Sequence, residues 1–193
     1  MEAERHPHRE VDACDGLAGE VPGGAVQGLI ELREQGLIGA IGIAAGEIKL
    51  MTRYVTSGAF DVLLTHNRYT LIDRRAEELI AEAAAHGMGI FNAAPFGGGL
   101  LAGDGTRYAY CEASPELPAW VDRARELCHS WSIELPTTAL HFSLRCPLIH
   151  STVVGVSRPE RIAQLEKLRL TTIPDDFWPA LQALGTPPST IDD

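Results

Sequence analysis

The sequence predicts an α/β fold, a small parallel sheet with helices packed against it, and three observations carry this. Short β-rich apolar runs at 37–43, 60–65, 88–92 and 150–155 alternate with segments at helical spacing. The runs are apolar on successive residues rather than on every other one, the pattern of strands covered on both faces in a parallel sheet. The last two runs are each followed by a signal for binding an anion, Gly97-Gly98-Gly99 and a helix start at Ser157. A closed (β/α)8 TIM barrel needs eight strands and typically about 250 residues. With four visible strands in 193 residues, this chain reads as a partial barrel, half of a whole one.

Taken in order, residues 1–20 are polar and without apolar period, and read as a disordered lead-in to one domain spanning 21–185. His6 and His8 have no third ligand nearby and make no metal site. Val26, Leu29, Ile30 and Arg33 share a helical face, and Gly36 stands where that helix stops. The run 37–43 reads as a strand buried on both faces, 48–56 as a short helix, and 60–65 as a second buried strand ending at His66-Asn67. Asp73 is placed as N-cap of a helix that buries Ala76, Leu79, Ile80 and Ala83, with Gly87 as its stop.

The run 88–92 is the third strand and delivers the glycine loop. A polar loop over 104–114 leads to Ser114-Pro115-Glu116, a cap residue followed by proline at the first helical position. That helix runs to about Ser130 with Trp120, Val121, Ala124 and Cys128 inward; Pro136 opens another through Leu144. After the fourth strand, Ser157-Arg158-Pro159-Glu160 has the S-x-x-E form of a capping box, so a helix starts there and runs to about Leu168. A short helix over 176–184 and a flexible tail over 186–193 finish the chain.

Composition removes several classes of function. A formal net charge of −10 and the lack of any basic tract argue against nucleic acid as a partner. No apolar run approaches the roughly 18 residues that cross a bilayer, and the start is no signal sequence, so no membrane is expected and the location is read as cytoplasmic. Cys14, Cys111, Cys128 and Cys146 form no CxxC pair and read as reduced thiols, with Cys128 and Cys146 in or near the core.

Three consecutive glycines after a strand expose N–H groups that can cradle a pyrophosphate; a surface turn is the other reading of such a loop. In barrels a phosphate pocket is frequently built from the loops after the last two strands and a helix N-terminus. Here those loops hold the glycines and Ser157-Arg158, and Arg158 and Arg161 add charge, unless they only line a solvated helix face.

Residues 67–71 (NRYTL), 92–101 (NAAPFGGGLL) and 153–161 (VVGVSRPER) resemble the C-terminal half of the aldo-keto reductases, most closely the bacterial branch that includes L-fucose and D-threo-aldose dehydrogenases. The resemblance implies strands five to eight of the barrel, NADP or NAD as cofactor, and a small-molecule carbonyl or sugar as substrate. It places Asn67 near the nicotinamide carboxamide, and Phe96, Gly97, Gly98, Gly99 and Leu100 around the pyrophosphate. Gly155, Ser157, Arg158 and Arg161 fall on the adenosine side, and Gln164 beside adenine.

The chain departs from the family at Ala44-Ala45-Gly46, where a Ser-Asn pair often holds the carboxamide, at Ala93, where an aromatic usually stacks on nicotinamide, and at Gln164-Leu165 near adenine. The family's catalytic Tyr, Lys, Asp and His come from its first four strands, which this chain does not contain. Its lysines, Lys49 and Lys167, fall on expected helices, so Tyr54, Tyr69, Tyr108 and Tyr110 read as packing or loop residues and no catalytic residue is assigned. Open sheet edges add an expectation of self-association or of a partner chain.

Overall fold

The apolar runs become the four-stranded parallel sheet of this computed structural model, which describes residues 24–103, 107–108, 111–112 and 114–188. The elements are α1 (Ala25–Glu34), β1 (Gly42–Ala45), α2 (Ile48–Thr56), β2 (Val62–His66), α3 (Glu77–Ala85), β3 (Gly89–Ala93), β4 (Arg107–Tyr108), β5 (Cys111–Glu112), α4 (Glu116–Ser130), α5 (Leu135–Leu144), β6 (Ser151–Val153), α6 (Glu160–Leu170) and α7 (Phe177–Gln182). A 3-10 turn at Gly97–Gly99 follows β3. The sheet order is β1-β2-β3-β6, and β4 and β5 form a separate small antiparallel hairpin. The lead-in with His6 and His8, Cys14, Tyr110 and the end of the tail lie outside the described residues.

In-register parallel pairing aligns Ala44, Leu64, Phe91 and Ser151 across the sheet, with Ala45, Thr65, Asn92 and Thr152 in the next row and His66, Ala93 and Val153 beyond. Alternate rows face opposite ways. Leu63, Ile90, Thr65 and Asn92 are buried beneath the helices. On the other face Leu64 is half-buried, Phe91 is 37% exposed and Val153 40% exposed.

Strands covered on both faces were expected, and the structure corrects this. Helices cover one face of the sheet, and the second apolar face is open among the described residues. The first strand also moves, from 37–43 to Gly42–Ala45. Gly36 ends α1 in the left-handed conformation, and chain extension begins only near Ile41. There the Ile41 N–H donates to Asp61 Oδ2 at 2.7 Å, and the Ile41 carbonyl accepts from Asp61 and Val62.

Two apolar clusters hold the helices. Met51, Tyr54 and Val55 of α2 meet Leu79 and Ile80 of α3 over Leu63 and Ile90. Trp120 of α4, Phe177, Trp178 and Leu181 of α7 and Leu101 form the second. Each such side chain, fully buried, contributes roughly 1.5–3 kcal/mol. The inward residues expected of α3 and α4 are the buried ones, and Cys128 is buried with Cys146 half-buried.

Three expected caps are not formed. Helix α3 begins after Ala76, because Asp73 turns to Arg75, taking its backbone N–H at 3.0 Å and its guanidinium at 2.8 Å. Helix α4 begins after Pro115, and the buried Ser114 hydroxyl has no hydrogen-bond partner among the described residues. Helix α6 begins at Glu160 behind Pro159, with no side-chain cap from Ser157. In the last two cases the proline itself takes helical φ/ψ and becomes the boundary, which moves the serine out of reach.

Candidate functional site

Strands β3 and β6 are neighbours in register, so the loops that leave their carboxyl ends start side by side, tied by Ala94 N–H to the Val153 carbonyl at 3.2 Å. The loop after β3 is tightly wound: Ala94, Gly97, Gly98 and Gly99 all have positive φ. Gly97 is required for space as well, since a Cβ there would lie 3.2 Å from Ile72 and from the Tyr108 ring. Winding uses up donors. The Gly97 amide donates to Ala94, Gly99 to Phe96 and Leu100 to Gly97, all within the loop, and Leu100 is buried in the core.

Between this loop, the loop after β6 and helix α6 lies a cleft of about 330 Å³. Its lining includes four of the expected cofactor residues, Phe96, Gly155, Arg161 and Gln164. Glu134, Pro136 and Lys167, none of them expected as a cofactor residue, complete much of the wall. The geometry follows from helical spacing: positions 161, 164 and 168 share a face, and that face of α6 is the cleft wall. Ser157 and Arg158 are exposed before the helix and outside the lining; the exposed Gly98, the half-buried Gly99 and the buried Asn67 are outside it too. Lys167 Nζ sits 3.8 Å from Glu134 Oε1, an exposed pair that contributes little.

A second polar group lies at the carboxyl end of β2. Asn67 is 2% exposed with φ 56°, and its Oδ1 is buried without a hydrogen-bond partner among the described residues. The Tyr108 hydroxyl donates to the Asn67 carbonyl and to Asp73 Oδ2. Burial, then the charge of Asp73, pushes the Tyr108 phenol far up. Burial, then a hydrogen bond with Cys146, does the same to Tyr69. Both are neutral phenols at any physiological pH. Tyr54 packs edge-on against Phe60, and Lys49 and Lys167 lie on α2 and α6.

Asn92, beside them on β3, locks the sheet to α5. Its Nδ2 donates to the Tyr69 carbonyl at 2.9 Å and to Ser143 Oγ at 2.8 Å, and Ser143 in turn meets Thr152 at 2.7 Å.

His66 was missed in the sequence as a site residue. It ends β2 on the open sheet face, half-buried, with its ring near Gly46 and Arg68. The available signal was its position, a polar residue closing an apolar strand at the end where barrel sites are built. Among the described residues no group of His, Cys, Asp and Glu could hold a metal, and no helix is long and apolar enough to cross a membrane.

Residues 22–186 match the sequence profile of the Aldo/keto reductase family. Pyridoxal 4-dehydrogenase of Microbacterium luteolum is 31% identical over 167 residues, covering 84% of this chain and 49% of that protein. D-threo-aldose 1-dehydrogenase of a Pseudomonas species is 33% identical over 163 residues, covering 81% and 49%. The holo form of aldo-keto reductase AKR11C1 from Bacillus halodurans superposes with a TM-score of 0.68 at 19% identity, over 86% of this chain and 54% of that one, a likeness of fold. The chain spans about half the length of the curated relatives it matches.

Proposed function

We propose that this chain, which belongs to the aldo/keto reductase family, is the cofactor-holding half of an NAD(P)-dependent oxidoreductase acting on a sugar or aldehyde carbonyl. In this reading the four-stranded sheet is strands five to eight of a partial (β/α)8 barrel spanning residues 21–185. Residues 1–20 and 186–193 stand outside that domain, and the protein works in the cytoplasm. The substrate class is taken from relatives named for aldose and pyridoxal dehydrogenation.

The observation that carries the proposal is the convergence of Phe96, Gly155, Arg161 and Gln164 on one cleft at the carboxyl ends of β3 and β6. At about 330 Å³ the cleft is at the small end of ligand pockets, roughly 300–1,000 Å³, and suits the adenosine half of a dinucleotide. Arg161, with Arg158 just outside, supplies positive charge for phosphate and favours a 2′-phosphate, hence NADP over NAD. Gln164 faces the adenine position, and Gly155 leaves open space where a side chain would intrude.

Internal hydrogen bonds hold the Gly97, Gly99 and Leu100 amides, so the pyrophosphate role falls on Gly98 and on the arginine side chains more than on a row of free N–H groups. The unpartnered Oδ1 of Asn67 is an acceptor suited to the N–H of a carboxamide. When bound, the nicotinamide supplies or accepts the hydride. The residues described here bind and orient.

A second reading is a nucleotide-binding module without catalysis of its own. Tyr69 and Tyr108, buried and pushed away from physiological titration, favour it. One titration separates both readings from neither. NADPH added to the folded chain should change Trp fluorescence saturably, and Arg161→Ala should weaken binding about tenfold, the loss of one charge-assisted contact. Absence of saturable binding removes both readings. Binding with a flat nicotinamide absorbance in the presence of an aldose excludes catalysis by this chain on its own; turnover there would remove the module.

A further inference from the structure

We infer that His141 is a positioning residue for the cleft: from helix α5 it holds α6 in place, and so sets where Arg161 and Gln164 stand. This rests on the cofactor reading above. Packing alone does not fix α6. None of its eleven residues is buried, and its two half-buried ones, Leu165 and Leu168, belong to neither apolar cluster. Helix α5 is the opposite case. Seven of its ten residues are buried, and Ser143 ties it to Asn92 of β3 at 2.8 Å.

Polar contacts on α6 are mostly its own. Arg169 bonds to Glu166, and the Thr171 hydroxyl donates to the Lys167 carbonyl, both within the helix and its cap. The Lys167–Glu134 pair reaches outward, but its side chains are 77% and 65% exposed, so water screens it. His141, half-buried on α5, is the firmer tie: its Nε2 lies 3.1 Å from the Leu168 carbonyl. A carbonyl only accepts, so Nε2 carries the proton and donates. The bond falls in the last turn of α6, where carbonyls lack the full helical ladder.

The Leu168 side chain is itself part of the cleft lining, on one helical face with Leu165, Gln164 and Arg161. Seven residues of helix, about 10 Å, separate Leu168 from Arg161, and a rod held at its far end carries the whole wall with it. Without the tie, α6 hangs between β6 and Ile173, where the chain next enters the core. A wall that swings free binds through the docked fraction only, which raises the apparent dissociation constant.

The test combines amide hydrogen exchange of the ligand-free chain with a calorimetric titration of NADPH. His141→Phe keeps a ring and removes the donor; His141→Leu removes it in a smaller side chain, should the larger ring crowd the site. Either should speed exchange along α6 about fivefold, the loss of one net hydrogen bond, leave the centre of α4 and the thermal midpoint nearly unchanged, and raise the NADPH dissociation constant roughly twofold to fivefold. His141→Gln, whose amide N–H can take the place of the Nε2 donor, should restore both readouts.

Unchanged exchange along α6 in both donor-less variants overturns the inference, as does equal acceleration in α4, which would make His141 a residue of general stability. Faster exchange in α6 with NADPH affinity unaltered overturns the positioning role, and so does a Gln variant no better than Leu. If the unsubstituted chain binds no NADPH, the cofactor reading falls and takes the positioning role with it, while the exchange data still report whether His141 holds the helix.

Discussion

Asp61 joins three parts of the chain through one carboxylate. It accepts the Ile41 N–H at 2.7 Å and Arg33 Nη1 at 3.0 Å, tying the start of β1 and the end of α1 to the turn before β2. The Ile41 amide, then the Arg33 guanidinium, hold its carboxyl below the ordinary value of 3.8. The side chain is 44% exposed, so screening limits the gain, and Asp61→Ala should cost about 1 kcal/mol in a urea titration at neutral pH. Because the folded-state pKa is depressed, this stability is fully present above 3.8 and is lost as pH falls through the lower folded value. The difference between the two proteins should therefore close in acid; a difference that persists there would assign the loss to packing. At this scale the sequence exposed part of the site. Arg161 could be read from its place after the fourth strand and Gln164 from the family resemblance, and helical spacing puts the two on one face. His66 could not, since only strand register and the gap at Gly46 reveal where its ring goes.

Element type and order were legible because hydrophobic period is a property of the segment, whereas boundaries depended on which of two neighbouring residues won a local contest. Gly36 and Gly87 do follow α1 and α3 in the left-handed conformation. At Asp73, Ser114 and Ser157 the cap was displaced, by a nearby arginine in the first case and by proline in the other two. Displacement of the last of these cuts into the site reading, because the helix whose N-terminus was to face phosphate begins beyond Ser157 and Arg158. Helix α6 is also weakly held: none of its eleven residues is buried, and Ile162 and Leu170 are 62% and 63% exposed. Helix α4 buries five residues. Amide hydrogen exchange should accordingly be fast along α6, limited by local opening, and slow at the centre of α4. Equal protection of the two helices would show that the exposed side of α6 is covered in solution. Adding NADPH should slow α6 more than α4, since only α6 forms a wall of the cleft.

For the whole molecule, the unresolved burden is the open sheet face. Among the described residues β1 and β6 are each paired on one side only, and Phe91, Val153 and Val156 are 37%, 40% and 44% exposed. A row of unpaired strand groups beside exposed apolar residues is a template for association. The curated relatives carry about as much chain again as the stretch they share with this one. Alone in solution, this chain should form dimers or larger species, visible as a scattering mass that rises with concentration. A net charge of −10 on every copy opposes that contact, while the contact itself is apolar and hydrogen-bonded. Added salt shortens the range of the repulsion and leaves the attraction in place, so association should strengthen as salt increases. Val153→Lys places a charge on the open face of edge strand β6 and should return the chain toward monomer. Because Val153 is already 40% exposed, the substitution gives up little buried area, and the thermal midpoint measured at low protein concentration should hold. A constant monomer mass at every concentration and salt level would show instead that the face is stable in water without a cover.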